Sequence, residues 1–423
     1  VTRIAIVGLN AYPAINPTAS RNVGGLENFA WTFAQALAAV PPWQVTLLLR
    51  HSQPIPETAL QGVRFVTYAE PLRHIQLNAG HCVRRKPSFP YLALQRWDPA
   101  LLWQVPLLAT VKALRLRPPH PERLRCLLLE ADAEVIVALG VNADSSAAIH
   151  AAKTLGKPIW LWLRSNGDID ERFFSDDDFV DPYAVSAADC RFCLHNATGI
   201  LCQTDWQARR LKQLSGRDGV IIRNPVDLHR FPLPLPRSEE RDMVLWLGRM
   251  DRFHKRPLLA LEVARRCPDV PFLLIANRSD AVVESEVRAT CPPNVTLQDY
   301  VPRSEIGAYY RRARVFLSTG ATEHEGFPNV LLEAAACGTP IVSLENFDNF
   351  LTTSGCGTAT DGDLQQAAIA VQQLWASTVT WQSFADRGRA YVEQHHSLRN
   401  CVTAFTEVCQ PKTDDLTKVS PQP

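Results

Sequence analysis

Two glutamates with seven residues between them bracket the segment best equipped for chemistry, Glu325-Gly326-Phe327-Pro328-Asn329-Val330-Leu331-Leu332-Glu333. Proline loses nothing at a first helical position, because its N–H would be unpaired there anyway. A helix is therefore expected to start at Gly326-Phe327-Pro328 and to run on from Asn329 to Cys337. Its positive end presents free backbone N–H groups, which bind phosphates. Glu325 falls in the loop before this helix and Glu333 about one and a half turns inside it. Flanked by Val330, Leu331, Leu332, Ala334, Ala335 and Ala336, Glu333 should be deep, where a carboxylate needs partners. One reading pairs it with a nearby basic residue. The other has both carboxylates accept hydrogen bonds from vicinal hydroxyls, Glu325 from a hexose and Glu333 from a ribose, with a diphosphate on the helix end between them.

A second group, Gly248-Arg249-Met250-Asp251-Arg252-Phe253-His254-Lys255-Arg256-Pro257, follows the strand expected at 243–247, and ligands meet parallel strands at their carboxyl ends. When a glycosyl–phosphate bond breaks, negative charge builds on the leaving diphosphate, and fixed cations stabilise it most in the transition state. Arg249 and Lys255 are the candidates for that role, and with Glu325 they form the expected catalytic set. A Gly-Arg after a strand says little alone; its weight comes from sharing a domain with the helix above.

The elements that must position these residues follow one pattern. Runs rich in Val, Ile and Leu at 4–9, 45–49, 135–139, 159–163 and 199–203 alternate with helical patterns, and a second series follows at 243–247, 272–276, 295–297, 315–318 and 340–343. Such alternation predicts parallel strands covered on both faces, hence an α/β protein of two doubly wound sheets. A chain of 423 residues with 46% hydrophobic content can fill two cores. The proline-dense stretch from Asn224-Pro225-Val226-Asp227 to Pro236 forbids a regular helix and suits a connection. The expected layout is a first domain at 1–225, a linker at 226–241, a second domain at 242–385, final helices at 386–409 and a disordered tail at 410–423.

Residues 68–121 break the alternation. They carry Arg84-Arg85-Lys86, Tyr91, Trp97, Leu101, Leu102, Trp103, Leu107, Leu108, Leu114 and Leu116, interleaved with Arg96, Lys112, Arg115 and Arg117. They read as an inserted helical layer; the alternative is a basic, aromatic surface over 84–117 that meets an anionic membrane or an acceptor.

With 44 basic and 43 acidic residues the chain has no bulk attraction for nucleic acid, and no nucleic-acid partner is expected. No run approaches the roughly 20 apolar residues of a membrane span. Val1-Thr2-Arg3-Ile4 leads straight into a strand, so a cytoplasmic location is expected, with peripheral contact at the inner membrane face as the variant. Eleven cysteines, an odd number scattered through apolar elements, suit reduced core thiols. Cys190-x-x-Cys193 before His195 lacks a second ligand pair and is taken as two half-buried thiols on a helix, not a zinc site.

These residues resemble the retaining glycosyltransferases of family 4, which have the GT-B fold. The resemblance rests on the Glu325 to Glu333 spacing, on Glu333-Ala-Ala-Ala-Cys-Gly-Thr-Pro-Ile-Val342, on Gly248-Arg249 with Lys255, and on Asn224-Pro225-Val226-Asp227 before Phe231. It covers about 220 to 395 and is thinner in the first half, at Gly24-Gly25-Leu26-Glu27 and 152–158. It implies two Rossmann-like domains facing an interdomain cleft. It also implies transfer of a sugar from a nucleoside diphosphate, with retention at the anomeric carbon, no required metal and no cofactor beyond the donor. The acceptor would be a carbohydrate or a lipid-linked molecule. By resemblance, Gly24 and Gly25 let a loop approach the donor phosphates or the acceptor, the backbone near Val301 meets the nucleobase, and the final helices cross back to the first domain. Gly248, Gly326, Phe327, Pro328, Asn329 and Val330 complete the donor site.

Three departures stand out. The family's histidine after the strand at 159–163 is here Arg164, followed by Ser165-Asn166-Gly167-Asp168; a guanidinium can hydrogen-bond a donor but cannot act as a base. Its glycine-rich turns are replaced by Ala276-Asn277 and Gln298-Asp299, and one extra residue separates Arg249 from Lys255. Competing readings are fewer. Asp176-Asp177-Asp178 has the residues of a metal-chelating motif but sits in a polar run, not at the end of a hydrophobic strand. Gly8-Leu9-Asn10 does not open the Gly-x-Gly-x-x-Gly of a dehydrogenase. A non-catalytic nucleotide-sugar binder, or a subunit supporting an active partner, is the remaining alternative.

Overall fold

The computed structural model describes residues 1–16, 23–53, 55–85, 92–94, 96–114, 120–181, 183–233 and 235–410. The readings made of Lys86, Tyr91, Arg115, Leu116, Arg117 and the tail from 411 onward lie outside them, as do the side chains of Arg84 and Arg85.

Among the described residues sixteen strands run in chain order: β1 Thr2–Val7, β2 Trp43–His51, β3 Ala59–Leu60, β4 Val63–Ala69, β5 Val83–Arg85, β6 Leu92–Leu94, β7 Val135–Leu139, β8 Ile159–Trp162, β9 Gly199–Cys202, β10 Val220–Ile221, β11 Met243–Arg249, β12 Phe272–Asn277, β13 Val295–Gln298, β14 Ala313–Ser318, β15 Ile341–Ser343 and β16 Gly357–Ala359. The chain divides into two compact units, the first built mainly from Val1–Trp162 and Val180–Gly199, the second from Leu163–Phe179 and Ile200–Val408.

In the first unit the strands lie in the order β8-β7-β1-β2-β4-β3. All pairs are parallel except the β3–β4 edge, with Ile4 opposite Val45 on one side and Val135 on the other. Every residue of β7 is buried, as expected of a central parallel strand covered on both faces. The helix Ala143–Leu155 is capped by the Asn142 side chain, which accepts from Asp144 and Ser145 N–H, and is stopped by Gly156 in the left-handed conformation at φ 64°. Beyond β4 comes the inserted layer: helices Arg73–Cys82 and Leu101–Ala113 and the antiparallel pair β5–β6. The Leu101–Ala113 helix buries Leu101 and also Gln104, which accepts from Asn78 at 2.9 Å, while Leu102 and Trp103 are exposed.

In the second unit six parallel strands lie in the order β13-β12-β11-β14-β15-β16, which renumbered along the chain is the doubly wound order 3-2-1-4-5-6. Alternate residues of β11 feed opposite cores: Met243 and Leu245 pack with Phe316, Leu331 and Leu332, while Val244 and Trp246 pack with Leu261, Leu274 and Leu317. The proline-dense stretch belongs to this unit and is anchored: Phe231 is fully buried edge-on against Tyr310, and short 3-10 turns form at Leu228–Arg230 and Ser238–Glu240. The final helices, Thr378–His395 and Leu398–Cys409, belong to it through Val408. Cys190 and Cys193, expected to be half-buried, are fully buried on the Ala187–Asn196 helix, and all eleven cysteines are free. Asp176, Asp177 and Asp178 are exposed beyond the short helix Arg172–Ser175. Among the described residues no helix is long and apolar enough to cross a membrane.

Candidate active site

In a sheet of order 3-2-1-4-5-6 the chain leaves strands 1 and 4 in opposite directions, and a crevice opens at their carboxyl ends. In the second unit those strands are β11 and β14. Arg249 closes β11 and the loop after it carries Met250 to Arg256, and the loop after β14 carries Thr319 to Pro328.

These two loops are fastened to each other. Arg256, held at φ 49° just before the Pro257–Arg265 helix, donates to Thr319 O at 2.6 Å, to Gly320 O at 2.5 Å and to Glu345 at 2.9 Å. Thr319 Oγ1 donates to Lys255 O at 2.5 Å and accepts from Trp246 Nε1 at 2.8 Å, and Ala321 N–H donates to His254 O. Asp251 gathers the His254 and Lys255 N–H groups on Oδ1 and meets Arg249 Nε at 3.3 Å. Burial pushes the Asp251 carboxyl up, but the His254 and Lys255 hydrogen bonds and the Arg249 charge outweigh it, holding the group down at about 2.

The side chains that converge are Lys255 and Glu325. Lys255 Nζ donates to Glu325 Oε2 at 2.7 Å, both side chains being largely buried. Glu325 Oε1 is buried and has no hydrogen-bond partner, an arrangement that is unfavourable unless a ligand supplies a donor. Glycine shapes the walls: a Cβ on Gly320 would stand 3.2 Å from Glu325 Oε1, and one on Gly248 would collide with Lys255 Cγ at 2.8 Å. Arg249 ends β11 with its side chain half exposed.

The helix spans Asn329–Ala336, one residue later than expected: Pro328, extended at ψ 114°, is its N-cap rather than its first residue. Extended backbone before a helix is what an N-cap requires, and proline supplies it as readily as it fills the first turn. Leu331 N–H turns back to Pro328 O, so the N–H groups of Asn329 and Val330 head the helix. Phe327 N–H is donated to Gln203 Oε1 at 3.2 Å, and its buried ring stacks on His396. Asn224 Nδ2 joins Gln203 Oε1, Phe327 O and Asn329 Oδ1, and Gly326 lies so close to Gln203 and Gln207 that a Cβ would be 3.1 Å from each. The helix's far end is held by buried Arg241, which reaches Cys337 O at 2.7 Å and Ala313 O and Thr339 Oγ1 at 2.9 Å. Burial lowers the pKa of Arg241 to about 10.

Glu333, only 9% exposed, accepts from the Tyr310 hydroxyl at 3.1 Å, and burial together with the Glu333 charge raises Tyr310 well above the usual phenol range. Arg303 is the nearby cation that senses the Glu333 charge; desolvation of its guanidinium lowers its pKa and Glu333 opposes that shift. Val301, at the start of the Arg303 turn, is buried in the core beside Val330 and Phe327.

Arg164 follows β8 and precedes the short turn Asn166–Ile169. Its guanidinium senses Cys401 on the last helix and Asp168, and burial lowers its pKa to about 10. The neighbours that reach the Glu325 loop are Ser165, which donates to His324 O at 2.9 Å, and Asn166, which donates to Thr322 O at 2.7 Å. Gly24 and Gly25 are in the first unit, where Gly24 caps the helix Gly25–Ala38. A Cβ on Gly24 would collide with Glu27, whereas Gly25 faces open space. Tyr310, Arg303, Asp251, Arg256, Gln203 and Asn224 all shape the site without having been assigned a role from sequence. Asn224, Asp251 and Arg256 stood inside segments singled out from the sequence, and Gln203 closed an expected strand.

Residues 241–377 match the family model described as glycosyl transferases group 1. The similarity to that family is confined to this stretch. The match takes in β11, β14 and the helix Asn329–Ala336, the elements around the β11–β14 switch point. Over nearly the whole chain the fold is that of GT-B glycosyltransferases. Sucrose-phosphate synthase from Thermosynechococcus elongatus superposes with a TM-score of 0.67 at 17% identity, over 96% of this chain and 98% of that one. Anabaena HepE, solved with UDP and glucose, gives 0.61 at 14% identity over 96% and 99%. WaaG, a glycosyltransferase involved in lipopolysaccharide biosynthesis, gives 0.61 at 13% over 96% and 100%. No curated protein matches the sequence.

Proposed function

We propose that the chain is a retaining hexosyltransferase that moves a hexose from a nucleoside-diphosphate sugar to a carbohydrate or lipid-linked acceptor. The observation that carries this reading is Glu325: one carboxylate oxygen is held by Lys255, and the other is buried beside Gly320 with no partner. That oxygen suits a sugar hydroxyl. Lys255 and Arg249 then stand where leaving-group charge develops, the N–H groups of Asn329 and Val330 offer a seat for phosphate, and Glu333 with Tyr310 takes the ribose. Front-face departure and attack at the anomeric carbon, through an oxocarbenium-like state, retains its configuration. HepE, solved with UDP and glucose, favours a uridine donor, and the role of WaaG in lipopolysaccharide biosynthesis favours a lipid-linked acceptor.

A thermal-shift panel of UDP-, GDP- and ADP-sugars tests the donor, since a ligand at about 100 times its Kd adds roughly 2.7 kcal/mol. If no nucleotide sugar raises the melting temperature, the proposal fails. NMR of the product's anomeric proton tests retention. The arginine at 164, where the resembled family carries a histidine, favours a second reading, a non-catalytic nucleotide-sugar binder; donor-dependent release of nucleoside diphosphate with an acceptor extract separates the two. Peripheral membrane contact belongs to the same proposal. Leu94, Trp97, Leu102 and Trp103 are exposed, with Arg96 and Lys112 also at the surface, which suits an anionic bilayer surface. Vesicles rich in phosphatidylglycerol should co-sediment the protein, and Trp97→Ser with Trp103→Ser should abolish that.

A further inference from the structure

The first sheet, renumbered along the chain, has the order 3-2-1-4-5 with a short antiparallel edge, so it too has a switch point, between β1 and β7. What gathers there is cationic. Arg50, near the end of β2, donates to both oxygens of Asp144 at 3.1 Å and to Asn10 Oδ1 at 3.0 Å. Arg73, at the head of its helix, donates to the same Asn10 oxygen at 2.7 Å and lies 3.5 Å from Glu70. Arg123 donates to Glu70 Oε1 at 3.0 Å, and His120 Nε2 lies 2.8 Å from Asp144 Oδ1. Three guanidiniums and an imidazole thus share two carboxylates. Arg50 Nε, 3.7 Å from Glu70 Oε2, and Arg123 Nε are buried without a hydrogen-bond partner, and Arg50 is only 10% exposed at its side chain.

A network that served stability alone would match its charges, because an unneutralised buried guanidinium is costly. Here two guanidiniums that already touch carboxylates also converge on the neutral oxygen of Asn10, which is exposed, so the surplus charge is at the surface. Burial and the repulsion of Arg50 lower the pKa of Arg73, with Glu70 and Asp144 opposing.

We propose that this crevice binds the anionic group, phosphate or carboxylate, of a charged sugar acceptor, with Arg73 and Arg50 as its ligands beside Asn10. That the bound molecule is the acceptor rests on the transferase reading above; that the crevice takes an anion does not. Arginine's planar fork suits both oxyanions, so the ligand's chemical source is settled by comparison.

The test uses the full chain saturated with UDP, so that diphosphate sites are filled, and calorimetric titration with glucose 6-phosphate, glucuronate, inorganic phosphate and glucose. The expected result is saturable binding of one or both anionic sugars and none of glucose. Arg73→Gln should weaken it by about tenfold or more, Arg73→Lys by less, and both variants should keep the wild-type melting temperature and UDP affinity. Tighter binding of glucose 6-phosphate than of glucuronate identifies a phosphate ligand, and the reverse a carboxylate. Equal binding of glucose and the anionic sugars, no saturable binding of either anion, or an affinity unchanged in Arg73→Gln would overturn the proposal. Glucose 6-phosphate bound through Arg73 by a chain that never binds UDP would sustain the anion site and sink its role as acceptor site.

Discussion

The two sheets put their crevices at the same topological place and fill them with different chemistry. At the β11–β14 switch point one lysine meets one glutamate, the loops are stapled by Arg256 and Thr319, and a carboxylate oxygen is left over. At the β1–β7 switch point cations outnumber carboxylates and guanidinium donors are left over. A surplus acceptor calls for hydroxyls and a surplus donor for oxyanions. Strand order fixes where a ligand sits, and only side chains decide which ligand it is.

Four variants break or sharpen that contrast. Arg241→Ala should have the largest effect, about 4 kcal/mol off unfolding, because it strands the Cys337 and Ala313 carbonyls in the core behind the donor helix. A urea midpoint equal to wild type would mean that the helix is anchored by other groups. Acid comes next. Burial holds the His396 imidazole down at about 4 from an ordinary 6.5, beside the ring of Phe327. The unfolded state therefore takes up the proton first, and about 3 kcal/mol of stability present above pH 6.5 should be lost as pH falls to 4. Urea midpoints across that window should slope in the wild type and flatten in His396→Gln; parallel slopes would remove His396 from the account.

Lys255→Ala should lower the turnover number about a hundredfold while leaving oxyanion binding at Arg73 untouched, read by release of nucleoside diphosphate. Loss of both activities together would mean that the crevices are not separate in function. Glu333→Gln is the mildest, weakening donor binding by about 1.5 to 3 kcal/mol. An unchanged Kd by calorimetry would take the ribose away from Glu333 and leave it as a partner of Tyr310 and Arg303 alone.

Parallel strands covered on both faces announce themselves as unbroken apolar runs, which is why β7 and β11 are legible from residue types. The edge pair β3–β4 is not: Arg64 is exposed between buried Val63 and Phe65, and Ala59–Leu60 is too short to show a period. β10 and β16, two and three residues long, escape for the same reason. In the site, Glu325 and Lys255 were chosen singly from their loops, but their ion pair joins positions 70 residues apart and has no local signature. Arg241 ends the charged run Arg237-Ser238-Glu239-Glu240-Arg241, which reads as a solvated turn, and only tertiary structure selects that one arginine for the core. The place of Arg164 after a strand is legible in the sequence, whereas the Cys401 thiol that its guanidinium senses, far along the chain, is not.

Loops stapled to each other before any ligand arrives leave little to order on binding. A ligand entering the β11–β14 crevice would meet walls already set by Arg256 and Thr319, so on the proposed reading a nucleotide sugar should associate at an ordinary rate of roughly 10⁵ to 10⁷ M⁻¹s⁻¹ with no slow second phase. Differences among nucleotide sugars will then show in how long each one stays.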